Sequence, residues 1–472
     1  MNMFDFLQKK IAMDIHTAAE ILKTNPELLK EFETAYANSN IDGVVSNNFF
    51  DINAKQMSAM LDKELTTSEE VDAMIEQIVA ELLAETPVWK YDGHKAATVR
   101  HALPAGETRE ITVQDISNLP EKLRPQLTAN LMKRDISQPS YLELLEVYNN
   151  HLNCKNSRNK ETWYHMFRQG LDLLDLDDIT YRMIGMNKNS MGYWLPQIVD
   201  AVDAQGYFKI PKTTIIKVPL TMLQLTRCEY MSLTPTTMAI VDRFCQKVFE
   251  LDERKDYFIK TGTYSSKYDF RNAHVQGPKE VRELGEYLLF IHHQALQMAS
   301  PLSQPVIYGV STTNEWVVRE FIHDKENNPC IYNGMPLHTE YRVFVDFDTK
   351  EVLGVNPYWD PKVMKDRFSK GSDADTNKMK HDYVIYAMHE ATLMDRYEKN
   401  AQIVVNKVEE LLKDINLPGQ WSVDIMQNGD DFYLIDMAEA STSALNHCIP
   451  KNKLRKLPEN WIPELGTFTA LP

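Results

Sequence analysis

From Tyr207 onward the chain alternates short β-branched runs with helical windows, and that alternation leaves few architectures open to it. TTIIKVPL reads as a strand, LTPTTMAIVDRFCQKVFEL as a helix, and DYFIKTG as a strand running into a polar loop. VRELGEYLLFIHHQALQM reads as a helix, WVVREFI as a strand, and EYRVFVDF with EVLGVNPYW as a hairpin. A long helix, NAQIVVNKVEELLKDI, precedes a last hairpin, WSVDIMQNGDDFYLIDM. Several strand neighbours are set for antiparallel pairing. The expectation is an α+β fold, not a doubly wound parallel sheet.

The first ninety residues carry helix signals. Thr24-Asn25-Pro26-Glu27 is a capping box with Pro in the first turn. A second box, Thr67 to Glu70, opens a helix with Val71, Met74, Ile75, Ile78, Val79, Leu82 and Leu83 on one face, closed by Thr86-Pro87. The next stretch is mixed. VRHALPAGETREITVQDIS alternates as a strand pair, SYLELLEVYNNHL and KETWYHMFRQGLDLL are helical, and MNKNSMGYWLPQIVDAVDAQG is a polar turn entering a helix.

With 472 residues the chain exceeds one ordinary core. It divides into a helical N-terminal domain (1–90), a mixed accessory domain (91–204) and a C-terminal domain (205–472). No catalytic constellation falls in the N-terminal helices, which read as packing or homo-oligomerisation elements.

The net charge of −16 disfavours non-specific nucleic-acid binding, which needs clustered Lys and Arg. No apolar run reaches 18 residues, and MNMFDFLQKKIAMD lacks the apolar core of a secretory signal. Five scattered cysteines without a CxxC pair make a poor disulfide framework and a poor zinc site. A cytoplasmic protein without membrane partners is expected.

Chemistry concentrates in four places. Lys260 ends a strand and is followed by Thr261-Gly262-Thr263-Tyr264-Ser265-Ser266-Lys267. A strand-borne ammonium leading into small hydroxyl residues suits polyphosphate, although the order of a P-loop is absent. In Val317–His323, alternation sets Arg319 and Phe321 on one face and Glu320 and Ile322 on the other. Charges inside an apolar strand are costly to bury without partners.

In Glu340–Asp346, Glu340, Arg342, Phe344 and Asp346 share a face that can line a cleft, with Asp346 expected on an exposed part of the sheet. In the last hairpin, a three-residue loop from Gly429 to Asp431 sets Asp424 across from Asp436. Opposed carboxylates repel unless a cation lies between them, and Mg²⁺ is the obvious one.

The order strand-Lys, small-residue loop, Arg-Glu strand, Glu-x-Arg strand and two-carboxylate hairpin resembles the ATP-grasp superfamily, in which two α+β subdomains hold ATP between them. Lys260, Arg319 and Arg342 match its two-arginine-plus-lysine clade of phages and bacteria. DYFIKTGTYSSKYDF, VVREFI, EYRVFVDFDTKEVLGV and VDIMQNGDDFYLIDMAEA are also similar to the eukaryotic ATP-grasp chaperone family that assembles translation initiation factor 2.

The resemblance implies a C-terminal ATP-grasp fold that binds ATP and Mg²⁺. In it Lys260 is a phosphate ligand, Ser265, Ser266 and Lys267 belong to a flap over the triphosphate, and Glu320, Phe321 and Ile322 contact adenine and ribose. Arg319 and Arg342 bind phosphate or a charged intermediate, and Asp424 and Asp436 hold Mg²⁺. The usual family ending has Asn two places after the acidic residue. Here Ala438 stands there, and Glu439 is expected as the replacement metal ligand if the strand ends at Asp436.

The activity implied is a ligase that activates a carboxylate as an acyl phosphate for attack by an amine on a peptide, protein or small compound. The alternative is an ATP-binding protein-assembly factor without turnover, and a third reading is an inactive fold that docks into an assembly. Asn356, Tyr358, Trp359 and Asp360 are candidate walls of an acceptor pocket.

Overall fold

The computed structural model describes residues 68–94, 96–100, 185, 187–227, 235–299, 313–370 and 377–455. The capping box at Thr24, all but Val99 and Arg100 of the expected strand pair, and the helices expected up to 184 lie outside them. The described chain is α+β.

The helix opened at Thr67 is α1 (Ser68–Glu85). Its apolar face, Met74, Ile75, Ile78, Val79 and Leu82, is buried as the spacing requires. The strands β1 (Val88–Tyr91) and β2 (Ala96–Arg100) follow, then α2 (Met191–Gln205), β3 (Phe208–Lys209) and β4 (Thr213–Lys217). Helix α2 stops at Gly206, whose φ of 69° lets its N–H reach the Val202 carbonyl. After α3 (Leu220–Leu223) and α4 (Pro235–Val248) come β5 (Tyr257–Thr261) and β6 (His274–Val275). Helices α5 (Gly277–Arg282) and α6 (Leu284–Ala299) precede β7 (Glu315–Glu320).

Six of these strands form one antiparallel sheet in the order β2-β1-β4-β7-β5-β6. Alternation assigns its two faces. Ile216, Ile259, Trp316 and Val318 enter a core with α1, α4 and α6. Ile215 and Val317 point the other way, as do Trp89 and Tyr91, and pack against α2. Thus α1 and β1, before residue 205, share cores with the strands beyond it.

A small pair, β8 (Cys330–Ile331) and β9 (Met335–Pro336), leads to β10 (Glu340–Asp346) and β11 (Glu351–Pro357). Helices α7 (Pro361–Lys370) and α8 (Asn377–Leu412) then precede β12 (Gln420–Asn428) and β13 (Asp431–Glu439). The second sheet has the order β11-β10-β12-β13-β3, antiparallel except for the β13–β3 pair. Its Tyr341, Val343, Val345, Val423, Ile425 and Leu434 share a core with α8, α2 and the first sheet. Helix α2 therefore joins both sheets through one apolar interior. Of the residues between those core positions, Asp424 faces a cleft, while Phe344 packs in a smaller core with Leu353, Leu445 and Ile449.

Two local expectations are corrected. The β12–β13 loop is two residues, because Asn428 pairs with Asp431. Asp424 still pairs with Asp436, since a bulge between Asp424 and Ile425 shifts the register by one. Asp346 is buried, not exposed. It accepts hydrogen bonds from the backbone of Asp348 and Thr349 and from Gln420, and it pairs with Arg455 at 2.6 Å. The chain after β13 folds back over that face, which alternation along β10 has no means of showing.

Candidate functional site

The cleft is lined by both sheets and holds about 940 Å³ of empty space, open solvent included. From the first sheet come Lys260 and Arg319. Ile259 and Val318 face the α4–α6 layer, so period-2 alternation turns Lys260 and Arg319 to the opposite face. Phe258 is the direct cross-strand partner of Arg319 and Val317 that of Lys260, which makes the two cations diagonal neighbours. From the second sheet come Glu340, Asp424, Met426, Ile435 and Asp436. Glu340, Asp424 and Met426 alternate with core residues, while the bulge in the β12–β13 pairing turns both Ile435 and Asp436 out between the core residues Leu434 and Met437.

Lys260 is only 2% exposed, and its Nζ lies 3.1 and 3.2 Å from the two carboxylate oxygens of Asp436. Arg342 grips Asp424 with a two-point fork, Nε at 2.8 Å and Nη2 at 2.7 Å. Burial opposes the charge on Arg342, but Asp424 more than offsets it and holds the guanidinium above its usual pKa. The opposed carboxylates thus each hold a protein cation. Two carboxylates on adjacent strands are also a hard-oxygen donor set of the kind Mg²⁺ takes together with phosphates.

Arg319 is the most constrained cation. Its Nε donates to Thr213 Oγ1 at 3.2 Å and Nη1 to the Ile435 carbonyl at 2.7 Å. Its Nη2 is buried without a hydrogen-bond partner. Burial pulls this guanidinium down to about 10, against the pull of Asp436, which leaves it charged at neutral pH. A buried, charged donor left unpaired is costly, and an anion entering the cleft would satisfy it.

The loop after Lys260 is pinned from behind. Met191 N donates to the Gly262 carbonyl, and Gly262 N to the Glu315 carbonyl. The buried Glu315 carboxylate pairs with Lys217 at 2.6 Å and accepts from Gly192 N, while Thr313 and Ser190 share a hydroxyl contact of 2.6 Å beside it. Ser265 and Lys267 line the cleft. Ser266 does not: at φ 48° its hydroxyl donates to Gln294 on α6.

Strand β7 ends at Glu320, so the strict alternation expected through Ile322 lapses. Glu320, Phe321 and Ile322 all line the cleft. Phe321 stacks on His274 with centroids 3.7 Å apart. Strand β13 runs on to Glu439, three residues past Asp436, which puts Glu439 on the other face and away from the two aspartates. Its backbone N–H donates to Asn189.

Of the candidate acceptor walls, Tyr358 and Trp359 line the cleft. Asn356 instead donates to the Leu445 carbonyl, and Asp360 accepts from Val363 N in the first turn of α7. Tyr358 receives two cations, Lys267 Nζ at 4.4 Å and Arg342 Cζ at 4.7 Å from its ring centre. Glu340 lies in the same corner. Burial lifts its carboxyl to about 7, with Lys267 and Arg342 pulling it down and Asp424 pushing it up.

Sequence reasoning missed the apolar wall: Phe258, Phe270, Met335, Pro336 and Met426. Met426 and Phe258 had a usable signal, their even spacing from Asp424 and Lys260. His338 also reaches this wall, and it approaches Asp324 and Glu326. That group is already satisfied. Asp324 accepts from Glu326 N and Asn328 N, and Arg396 lies 3.4 Å from Glu326.

No protein-family model matches this chain, and no curated protein matches it. The chain is similar to the solved structure of Cdc123 from Schizosaccharomyces pombe, with 16% identity, 55% of this chain and 86% of that one covered, and a TM-score of 0.30. The C-terminally truncated form of the same protein gives 16% identity, 54% and 86% coverage and again 0.30. At that TM-score the fold and the site stand on the geometry above. Among the described residues no helix is long and apolar enough to cross a membrane.

Proposed function

We propose that the cleft binds ATP with Mg²⁺ in the manner of an ATP-grasp protein. The observation that carries this reading is the buried, partnerless Nη2 of Arg319, set among Lys260, Lys267 and two opposed carboxylates. In this arrangement Lys260, Arg319 and Arg342 contact phosphate oxygens, Ser265 and Lys267 close over them, and the chain from Glu320 to Ile322 meets the base and ribose. Asp424 and Asp436 are the residues that would hold the metal. Bound there, Mg²⁺ would neutralise phosphate charge. The apolar wall of Phe258, Phe270, Met335 and Met426 excludes water from the base end.

We further propose that the nucleotide serves the docking of a protein partner, as in an assembly factor. Its support is the likeness of four segments to the chaperone family that assembles translation initiation factor 2. A second reading, carboxylate–amine ligation through an acyl phosphate, is favoured by one specific observation: Tyr358, Trp359 and Glu340 wall the cleft beside Arg342.

The experiment is calorimetric titration of Mg-ATP on the wild type, Lys260→Ala and Arg319→Met, with ADP release assayed in a mixed pool of amino acids and peptides. Binding that weakens in both variants supports the site. Stimulated ADP release moves the conclusion to the ligase, and binding without turnover supports assembly. A wild type that binds no ATP at millimolar concentration removes the reading.

A further inference from the structure

Two ion pairs, Lys260–Asp436 in the lining of the cleft and Arg342–Asp424 at its border, hold the charged groups that ligand binding needs. Arg342 commits Nε and Nη2 to both oxygens of Asp424, at 2.8 and 2.7 Å. Lys260, 2% exposed, commits Nζ to both oxygens of Asp436. The two carboxylates are cross-strand neighbours, so they form one patch of negative charge held by two protein cations. A bare polyphosphate entering beside them meets cations already engaged and carboxylates that repel it, among side chains that are largely buried except for Asp436, where screening is weak. A divalent cation changes both terms at once. Asp424 and Asp436 would hold it through their carboxylate oxygens, which would free Lys260 and Arg342 to face phosphate.

We infer that the cleft is selective for metal-chelated polyphosphates and rejects the free anion, because Asp424 and Asp436 act as internal counter-ions until a divalent cation displaces Lys260 and Arg342. The inference rests on the nucleotide reading above and deepens it. Arg319 stands apart from the exchange. Its Nη2 is partnerless and its two other contacts are neutral oxygens, so it offers an anion anchor whether or not metal is present. The selectivity therefore resides in the two aspartates, and removing their charge should abolish it.

The test is titration of ATP into the full chain by calorimetry, once in excess Mg²⁺ and once in EDTA. It uses the wild type, Asp436→Asn and the double variant Asp424→Asn/Asp436→Asn, with thermal melting to confirm folding. The Asp436 side chain is 39% exposed, so the single variant keeps the test open if the double one is unstable. The wild type should bind more weakly in EDTA by a factor on the order of 5 to 150, the usual range of coupling between two ligands.

Both variants should bind metal-free ATP more tightly than the wild type does and lose most of the gain from Mg²⁺. Equal wild-type affinity with and without Mg²⁺ overturns the exchange, as do variants that bind metal-free ATP no better than the wild type. Absence of ATP binding by the wild type in Mg²⁺ is a different failure: it removes the nucleotide reading, and the exchange with it.

Discussion

Lys260 and Asp436 come from different sheets, 176 residues apart, and meet in the cleft with Nζ 3.1 Å from Oδ2. The ammonium is buried while the carboxylate is part-exposed, so the pair faces the cleft from its carboxylate side. Lys260→Met removes the donor and keeps the length of the side chain. Charge-assisted hydrogen bonds contribute about 1.5–3 kcal/mol, so Mg-ATP affinity should fall by roughly one to two orders of magnitude. Undiminished affinity in a calorimetric titration would remove Lys260 from the site.

Arg319 separates function from stability. A structural arginine would take folding stability with it when replaced. Here the guanidinium is buried with one donor unsatisfied, and apolar replacements of buried charges are often neutral or stabilising. Arg319→Met should leave the unfolding free energy within about 1 kcal/mol of wild type, because relief of a buried, part-unsatisfied charge offsets the two hydrogen bonds lost, while nucleotide binding drops sharply. Denaturant unfolding and calorimetry on one preparation decide it. A large loss of stability with unchanged binding would contradict the assignment.

Glu315 should behave in the opposite way. Its carboxylate is fully buried, pairs with Lys217 and accepts from Gly192 N. Glu315→Ala strands the buried Lys217 and should cost about 3–5 kcal/mol. Gly262→Ala tests the same wall, since a Cβ there would lie 2.5 Å from Thr313 Oγ1 and 2.7 Å from Glu315 Oε2. Overpacking of this kind costs about 1–3 kcal/mol. Normal chemical-denaturation midpoints in both variants would show that the wall does not hold the Lys260 loop.

Glu340 predicts a pH dependence. Its folded pKa, about 7, is raised above the ordinary 4.5, mainly by burial. Between those values the folded state holds the proton more tightly than the unfolded state. The stabilisation from this group is therefore fully present below about pH 4.5 and is lost as pH rises through 7. The Glu340→Gln variant lacks the effect. The stability of wild type relative to that variant should decline from pH 4.5 to 7 with a slope of at most about 1.4 kcal/mol per unit. A flat difference across that window would show that Glu340 is ionised in the fold.

Much of the architecture was written locally. The apolar face of α1 and the strand segments around Lys260, Arg319 and Arg342 follow from periodicities of 3.6 and 2, which depend only on neighbouring residues. The hairpin shows the limit of such reasoning. A three-residue loop and a two-residue loop followed by a bulge both bring Asp424 to Asp436, and spacing alone does not separate them.

The site divides along the same line. Residue type and alternation named Lys260, Arg319, Arg342, Asp424 and Asp436, because a charge within an apolar strand stands out against its neighbours. Tertiary structure decided which cation meets which carboxylate, that Ser266 turns to Gln294, that Asp346 is covered by the segment bearing Arg455, and that Glu439 points away from Asp424 and Asp436. It also supplied the apolar wall, whose residues look like any core in the sequence. Such pairings join positions far apart in the chain, and their energies depend on burial, which only the packed cores around α2 and α6 define.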